Sequence, residues 1–341
     1  MNSDLPEAEL SDWLRINLPD DVEVRAIRVL SGGQSNPTYR VTTARRDLVL
    51  RRKPFGELLA SAHAVDREYR LISALHPVGY PVPEPVALCQ ERDVIGAEFY
   101  LMEALDARVH FDGMLPDYQP AERRAIYEAA IATLATLHAI DPDTVGLQSY
   151  GRPGNYFARQ VDRWTKQYRA AQTEEIEEVE KLIDWLPRTV PEQKRTSIVH
   201  GDFRIDNMLF AKRSASVMAV IDWELSTIGD PLADLSYFAM AWMMPSDWHA
   251  SGIHDADFAS LGIPPLDEVV EIYCEISRWK ELPDLRWYFA YNMFRLIGIA
   301  QGIKRRMLDG NASSDNALDA TSHLKLLAKK AWVQARLAGL R

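Results

Sequence analysis

Two short acidic motifs, each following an apolar run, hold the densest chemistry in this chain: His200-Gly-Asp-Phe-Arg-Ile-Asp-Asn207 and Val220-Ile-Asp-Trp-Glu224. The first has the spacing H-x-D-x-x-x-x-N, and the second sets an Asp directly after a strand-like stretch. Such a set suits phosphoryl transfer, which asks a protein mainly for position and charge neutralisation. It needs an oxygen to accept the nucleophile's proton and oxygen ligands for a Mg2+ ion that bridges phosphates. Asp202 is the candidate acceptor, with His200 holding the loop's geometry and Arg204 grouped with them as a catalytic candidate. Asn207 and Asp222 are the candidate metal ligands. Asp, Asn and Gly also fill ordinary turns, so a lone His-Gly-Asp would be weak. The joint occurrence of both motifs, with suitable elements upstream in order, is what supports the chemistry.

Upstream, Leu30-Ser-Gly-Gly-Gln-Ser-Asn36 lies between two strand-like runs, where glycines let backbone N–H groups come close to phosphates. The candidate nucleotide contacts here are Gly32, Gly33, Ser35 and Asn36, although a plain Gly-Gly hairpin turn reads equally well and a full G-x-G-x-x-G is missing. The next strand ends Leu48-Val-Leu-Arg-Arg-Lys53, and Arg51 best matches a cation that grips phosphates. Glu68, on the helix that follows, is the natural partner to hold its planar fork. Arg52 and Lys53 are the rivals, and alternation puts Arg51 on the face of Val49 with Arg52 opposite. Phe99-Tyr-Leu-Met-Glu103 runs out into a hinge, where backbone groups from Glu103 to Leu105 could pair with the edge of adenine.

Several residues have readings that need no catalysis. Asp230 before Pro231 reads as a helix cap with Pro at the first helical site. Asp234, one turn in, either answers the helix dipole or braces the acidic loop. His138 suits the end of an apolar helix, and Met240-Ala-Trp-Met-Met244 has the spacing of a core face.

The elements that must position these groups divide by character. A helix over 7–17 precedes strands over 22–30, 36–43 and 47–52, a helix over 62–75, and a strand pair over 84–89 and 99–103. Helical patterns then cover 120–140, 155–170, 173–186, 231–243, 266–280, 283–308 and 317–337, with short strand-like pieces at 196–199, 208–210 and 217–221. The expected fold is α+β: a small nucleotide-binding lobe over 1–105 with a five-stranded antiparallel sheet and one long helix, a hinge at 103–108, and a mainly helical large lobe over 106–341 carrying the catalytic loop and substrate site.

With 341 residues, 47% of them hydrophobic, the chain can bury a substantial core, which excludes disordered and fibrous classes. A formal net charge of -10 argues against a nucleic-acid partner, which needs a basic surface. Cys89 and Cys274 stand far apart without metal-ligand neighbours, so neither a disulfide framework nor a zinc site is expected. An acidic amino terminus and the lack of a long apolar run lead to the expectation of a cytoplasmic protein without membrane insertion. No G-x-S-x-G, H-E-x-x-H or G-x-x-x-x-G-K occurs, so hydrolase, zincin and P-loop chemistries lack support.

Gly32-Gly-Gln-Ser-Asn36, Leu48-Val-Leu-Arg-Arg-Lys-Pro54, Ser61-Ala-His-Ala-Val-Asp-Arg-Glu68, Leu137-His-Ala-Ile-Asp141, Gln160-Val-Asp-Arg-Trp164 and the 200–207 loop together resemble the aminoglycoside phosphotransferase and choline kinase superfamily over nearly the whole length. Within it the chain is most similar to the branch found alone in bacteria or fused to acyl-CoA dehydrogenases. The resemblance implies a protein-kinase-like two-lobed fold, ATP in the cleft, Mg2+ on Asn207 and Asp222, and Asp202 as base toward a small-molecule hydroxyl. It points to hydroxylated fatty acids or their CoA esters as substrates. Arg51 departs from the Lys of many aminoglycoside kinases. An antibiotic kinase is the rival reading, in which the acids of 173–180 would meet a polycation, although such a run is more often a solvated helix face. A nucleotide-binding pseudokinase is the alternative of another class. A protein kinase is excluded, because only residues 223–230 lie between Asp222 and Pro231 and leave no room for an activation loop.

Overall fold

The computed structural model describes residues 5–18, 23–30, 36–55, 64–245, 252–309 and 323–339. In chain order its elements are α1 (Glu7–Asn17), β1 (Val24–Val29), β2 (Thr38–Thr43), β3 (Asp47–Arg52), α2 (Val65–Leu75), β4 (Pro85–Cys89) and β5 (Phe99–Glu103). Then come α3 (Pro120–Ala139), α4 (Tyr156–Ala171), α5 (Glu177–Trp185), β6 (Ser197–Val199), β7 (Met208–Phe210), β8 (Val217–Val220) and β9 (Thr227–Gly229). The chain continues with α6 (Leu232–Ala239), α7 (Phe258–Leu261), α8 (Leu266–Ser277), α9 (Arg286–Leu308) and α10 (Leu324–Ala338). Among the described residues no helix is long and apolar enough to cross a membrane.

Two compact units result. The first holds residues 1–109, 143–150 and 207–226, and the second 110–142, 151–206 and 227–341. The chain therefore passes between them several times rather than once near residue 105.

In the first unit β1 to β5 form one antiparallel sheet in the order β1-β2-β3-β5-β4. Alternation on β3 decides its two faces. Leu48 and Leu50 join Leu10 and Leu14 of α1, Val41, Phe99 and Leu101 in a closed core. Val49 and Arg51 point the other way, into a cavity. Helix α2 presents Glu68, Leu71, Ile72 and Leu75 on its buried face, an i, i+3, i+4, i+7 spacing in which one carboxylate replaces an apolar side chain. It packs against β4, β5 and the turn at Trp223–Leu225. The β7–β8 hairpin belongs to this unit as well. Arg108 and Phe210 exchange backbone hydrogen bonds of 2.8 Å, and Val220 N–H donates to Pro81 O at 2.8 Å.

The second unit is built from helices. α3 packs on α8, α4 and α6 pack on α9, and α10 packs on α5 and α9. The β6–β9 pair, with Ile198 opposite Ile228, supports the segment leading to His200. Strand β9 has only Thr-Ile-Gly, too short for alternation to mark it in advance. Gly229 is required there by close approach, since a Cβ would fall 2.4 Å from Cδ2 of Tyr156. Helix α5 begins later than the expected residue 173, because Gln301 donates to Thr173 Oγ1 at 2.6 Å and Glu174 is tied to Lys304 and to Lys325.

Candidate active site

In the first unit a cavity of about 290 Å³ is lined by the Val49 and Arg51 face of β3, by Tyr100 and Met102 of β5, and by Asp222. Glu103, Ala104 and Leu105 also border it. The N–H groups of Glu103 and Ala104 are committed to Glu84 O and Asp47 O, at 2.9 and 3.2 Å. Leu105 N–H has no such partner among the described residues, which makes it the free donor at this strand end.

Arg51 is the centre of the charges around the cavity. Its Nε lies 3.0 Å from Glu68 Oε2, an ion pair whose N–H does not point along the line to the oxygen. Its Nη2 donates to Asp222 Oδ1 at 2.6 Å, and Glu224 stands 3.7 Å away. Glu68 also receives Asn36 Nδ2 at 3.0 Å and the Tyr100 hydroxyl at 3.2 Å. Burial pushes the Glu68 carboxyl up to about 7 against the pull of Arg51, with repulsion from Asp222 and Glu224 adding to it. Burial works against the Arg51 charge too, but Glu68, Tyr100 and Asp222 outweigh it and hold the guanidinium protonated. The two rivals are occupied elsewhere: Arg52 donates to the Tyr39 hydroxyl at 2.9 Å on the core face, and Lys53 pairs with Glu98 at 2.7 Å. Gly32, Gly33 and Ser35 lie outside the described residues, whereas Asn36 is fully buried with its amide on Glu68.

Asn207 and Asp222 sit side by side in this unit because Ile221 N–H donates to Asn207 O at 3.0 Å and Met208 pairs with Val220. Asp222 has a left-handed backbone with φ 67, a conformation that Asp tolerates better than most L-residues. The pair offers one amide and one carboxylate oxygen donor, the latter with 35% of its side chain exposed. Hard oxygen donors beside open space fit Mg2+, which keeps waters and takes phosphate oxygens to fill its octahedron. Among the described residues no cluster of three or more acids, His or Cys could hold a metal by itself.

In the second unit the loop 200–206 is clamped from α6. Asp234, fully buried, accepts the backbone N–H of His200 at 2.6 Å and of Gly201 at 2.8 Å. Gly201 has φ 87, so a glycine is needed where the chain turns over that carboxylate. The His200 ring is buried, and its Nδ1 accepts from Asp202 N–H at 3.1 Å. Behind Asp234, His138 Nε2 stands at 3.4 Å and its Nδ1 meets the Tyr273 hydroxyl at 2.7 Å. Burial raises the Asp234 carboxyl, but His138, His200 and the Gly201 N–H outweigh it and hold it below the usual range. Asp202 itself is partly exposed, with Arg204 Nε 3.8 Å from its Oδ1, and Arg204 Nη2 donates to Asp206 at 2.5 Å.

Sequence reasoning therefore met Arg51 with Glu68, Asn207 with Asp222, and His200 with Asp202 and Arg204 as three groupings. It left Asp234 open, read His138 as a helix-end residue, and passed over Glu224 and Tyr100. His138 carried no local signal: its partners Asp234 and Tyr273 are far along the chain, and only tertiary packing brings them together.

Residues 26–275 match the family described as "Phosphotransferase enzyme family". The chain is 44% identical over 310 residues to acyl-CoA dehydrogenase family member 10 of Mus musculus, covering 91% of this chain and 29% of that protein. It is 41% identical over 288 residues to acyl-CoA dehydrogenase family member 11 of Homo sapiens, covering 84% and 37%. The chain thus spans well under half the length of these relatives. A crystal structure of a Ralstonia eutropha protein assigned to the aminoglycoside phosphotransferases superposes with TM-score 0.90 at 40% identity over 98% of this chain and 99% of that one. A spectinomycin phosphotransferase solved with ADP and spectinomycin gives TM-score 0.62 at 12% identity, covering 96% and 98%, which shows the fold. The fold is thus the kinase-like aminoglycoside phosphotransferase fold, and the chain belongs to the phosphotransferase enzyme family.

Proposed function

We propose that this phosphotransferase moves the γ-phosphate of ATP to a hydroxyl of a small molecule, with Asp202 accepting the hydroxyl proton. The buried guanidinium of Arg51, gripped by Glu68 and Asp222 at the wall of a cavity, carries the reading. A desolvated, permanently charged fork is suited to phosphate oxygens, and Glu68 fixes its orientation. Leu105 N–H, with Glu103 beside it, is the candidate contact for the adenine edge; Gly32, Gly33, Ser35 and Asn36 are the candidate residues over the phosphates. Asn207 and Asp222 hold Mg2+, which neutralises phosphate charge when bound. His200 and Arg204 act on Asp202, the first by shaping its backbone and the second by limiting where its carboxylate points. Asp202 then orients the attacking hydroxyl and takes its proton.

The acceptor is a hydroxylated fatty acid or its CoA ester. What supports this class is a small cavity of the second unit, about 40 Å³, lined by Tyr127, Tyr237, Phe238, Trp242 and Met244 with Arg204 and Asp206 as its charged members. Such a lining would take a small apolar group of the acceptor, not its whole chain. A polycationic antibiotic would need a cluster of unpaired acids, and three of the five in the 173–180 run are engaged: Glu174 with Lys304 and Lys325, Glu177 with Lys181, Glu180 with Arg169.

The test is transfer of labelled γ-phosphate to hydroxyacyl-CoA esters, aminoglycosides, macrolides and choline, with wild type and Asp202→Asn side by side. Transfer to the hydroxyacyl esters, lost in Asp202→Asn while ATP still binds, is the expected result. Unchanged turnover in Asp202→Asn would sink the role of Asp202. ATP binding without transfer to any acceptor would leave a pseudokinase.

A further inference from the structure

Behind the catalytic loop a chain of buried polar groups crosses the second unit from α8 to α6. The Tyr273 hydroxyl of α8 lies 2.7 Å from His138 Nδ1 of α3, with the two rings edge to face. The other ring nitrogen, Nε2, lies 3.4 Å from Asp234 Oδ2 of α6. Asp234 directs the rest of its carboxylate to the loop, Oδ2 accepting the His200 amide at 2.6 Å and Oδ1 the Gly201 amide at 2.8 Å. The His138 carbonyl accepts Ser197 Oγ at 3.1 Å, which ties α3 to the strand that runs into the loop. Tyr273 is fully buried, and the side chains of His138 and Asp234 are each 1% exposed, so bulk water does not compete for these contacts.

Donors and acceptors fix where the protons of this chain lie. Among the described residues the Tyr273 hydroxyl has one hydrogen-bond partner, His138 Nδ1. A phenol that only accepted there would leave its own O–H unsatisfied in a closed site. Burial first, then the charge of Asp234, push the Tyr273 hydroxyl above its ordinary value, so it keeps its proton. Tyr273 therefore donates, Nδ1 is the bare nitrogen, and the ring proton sits on Nε2, facing Asp234. The opposite tautomer would set a lone pair against Oδ2. The carboxylate could escape that repulsion only by turning, and Oδ2 is the oxygen that holds His200. The His200 ring in turn accepts Asp202 N–H at 3.1 Å, so a turn of Asp234 is passed on to the backbone of Asp202.

We infer that Tyr273 and His138 are positioning residues for the catalytic loop: the Tyr273 hydroxyl selects the Nε2–H tautomer of His138, and that N–H keeps both oxygens of Asp234 on the amides of His200 and Gly201. The link to turnover rests on the assignment of Asp202 as proton acceptor, and deepens it. A base is only as well placed as the groups that hold its loop, and here they reach back to a third helix.

The tautomer is read directly from the nitrogen chemical shifts of the His138 ring in histidine-labelled protein, a measurement that needs no variant. One proton, on Nε2, is the expected result; a proton on Nδ1, or on both nitrogens, would overturn the inference. Tyr273→Phe should mix the tautomers and speed hydrogen exchange at the His200 and Gly201 amides by up to about tenfold, the worth of one hydrogen bond, with the amides of α9 unchanged. Unchanged exchange at both loop amides would overturn it, and so would faster exchange throughout the unit, the mark of a packing defect. Turnover is followed as ADP formation from Mg-ATP, with water or a hydroxyacyl-CoA ester as acceptor. Tyr273→Phe should lower kcat and leave the KM for ATP as it was. It should cost nothing further in a His138→Gln background, where the amide has no tautomer to lose. A wild-type kcat in Tyr273→Phe, or an equal loss in both backgrounds, would overturn the positioning role. Wild-type turnover in Asp202→Asn would remove the base assignment alone, because the ring shifts and exchange rates test the holding of the loop without it.

Discussion

Arg51 is held from two sides by carboxylates of unequal burial, with Glu68 2% and Asp222 35% exposed as side chains. Removing the cation would force Glu68 to take up a proton or to stand as a charge with no counter-ion in a closed site, and breaking such a pair costs up to roughly 3–5 kcal/mol. Arg51→Met should therefore lower stability by an amount of that order, read from urea unfolding at neutral pH. Glu68 was findable because it occupies a core position of an amphipathic helix, and Arg51 because alternation on β3 separates it from Arg52. Tyr100 and Glu224 escaped notice. A Tyr in a strand reads as core, and an acid two residues after Asp222 reads as turn, until α2 is seen to bring Glu68 against both strand and turn.

At the scale of elements, the strands of the large sheet were legible from alternation and turn chemistry, and β3 and β5 fall on the expected residues. Helix α6 was not, in the respect that matters. It is buried all round, so periodicity cannot tell which of its polar side chains are supports. The start of α6 has a pH signature. Asp230 accepts Leu232 N–H at 2.9 Å, and burial raises its carboxyl to about 6, with that hydrogen bond pulling the other way. A carboxyl raised above its unfolded value contributes stability that is present below about pH 4 and lost as pH rises to about 6. Asp230→Asn keeps an oxygen for Leu232. It should flatten the stability curve across that window and raise stability near pH 7 by on the order of 2 kcal/mol, measured as the difference in urea unfolding between variant and wild type.

For the molecule as a whole, the motif order along the chain was a sound guide, but the composition of the two units was not legible. Residues 143–150 and 207–226 belong with the sheet through contacts such as Arg67 Nη2 on Tyr150 O at 2.8 Å and the Tyr150 hydroxyl on Ser226 Oγ at 2.7 Å. No local pattern announces them. Ligand linkage tests the first unit's role globally. Mg-ATP at a hundred times its Kd should stabilise the fold by about 2.7 kcal/mol, and Asp222→Ala should shrink the Mg-dependent part of the thermal shift while leaving part of the ATP effect. An undiminished shift in Asp222→Ala would exclude it as a metal ligand.

Helix α6, whose every residue is buried, carries Asp234, the side chain that holds the amides just before Asp202. A segment without a solvent-facing side has no fraying route of its own, so its amides exchange with deuterium only when the surrounding helices open together. The support of the loop that precedes Asp202 is thus drawn from a segment expected to exchange slowly. Warming should therefore not loosen that support before the cooperative melting of the surrounding helices.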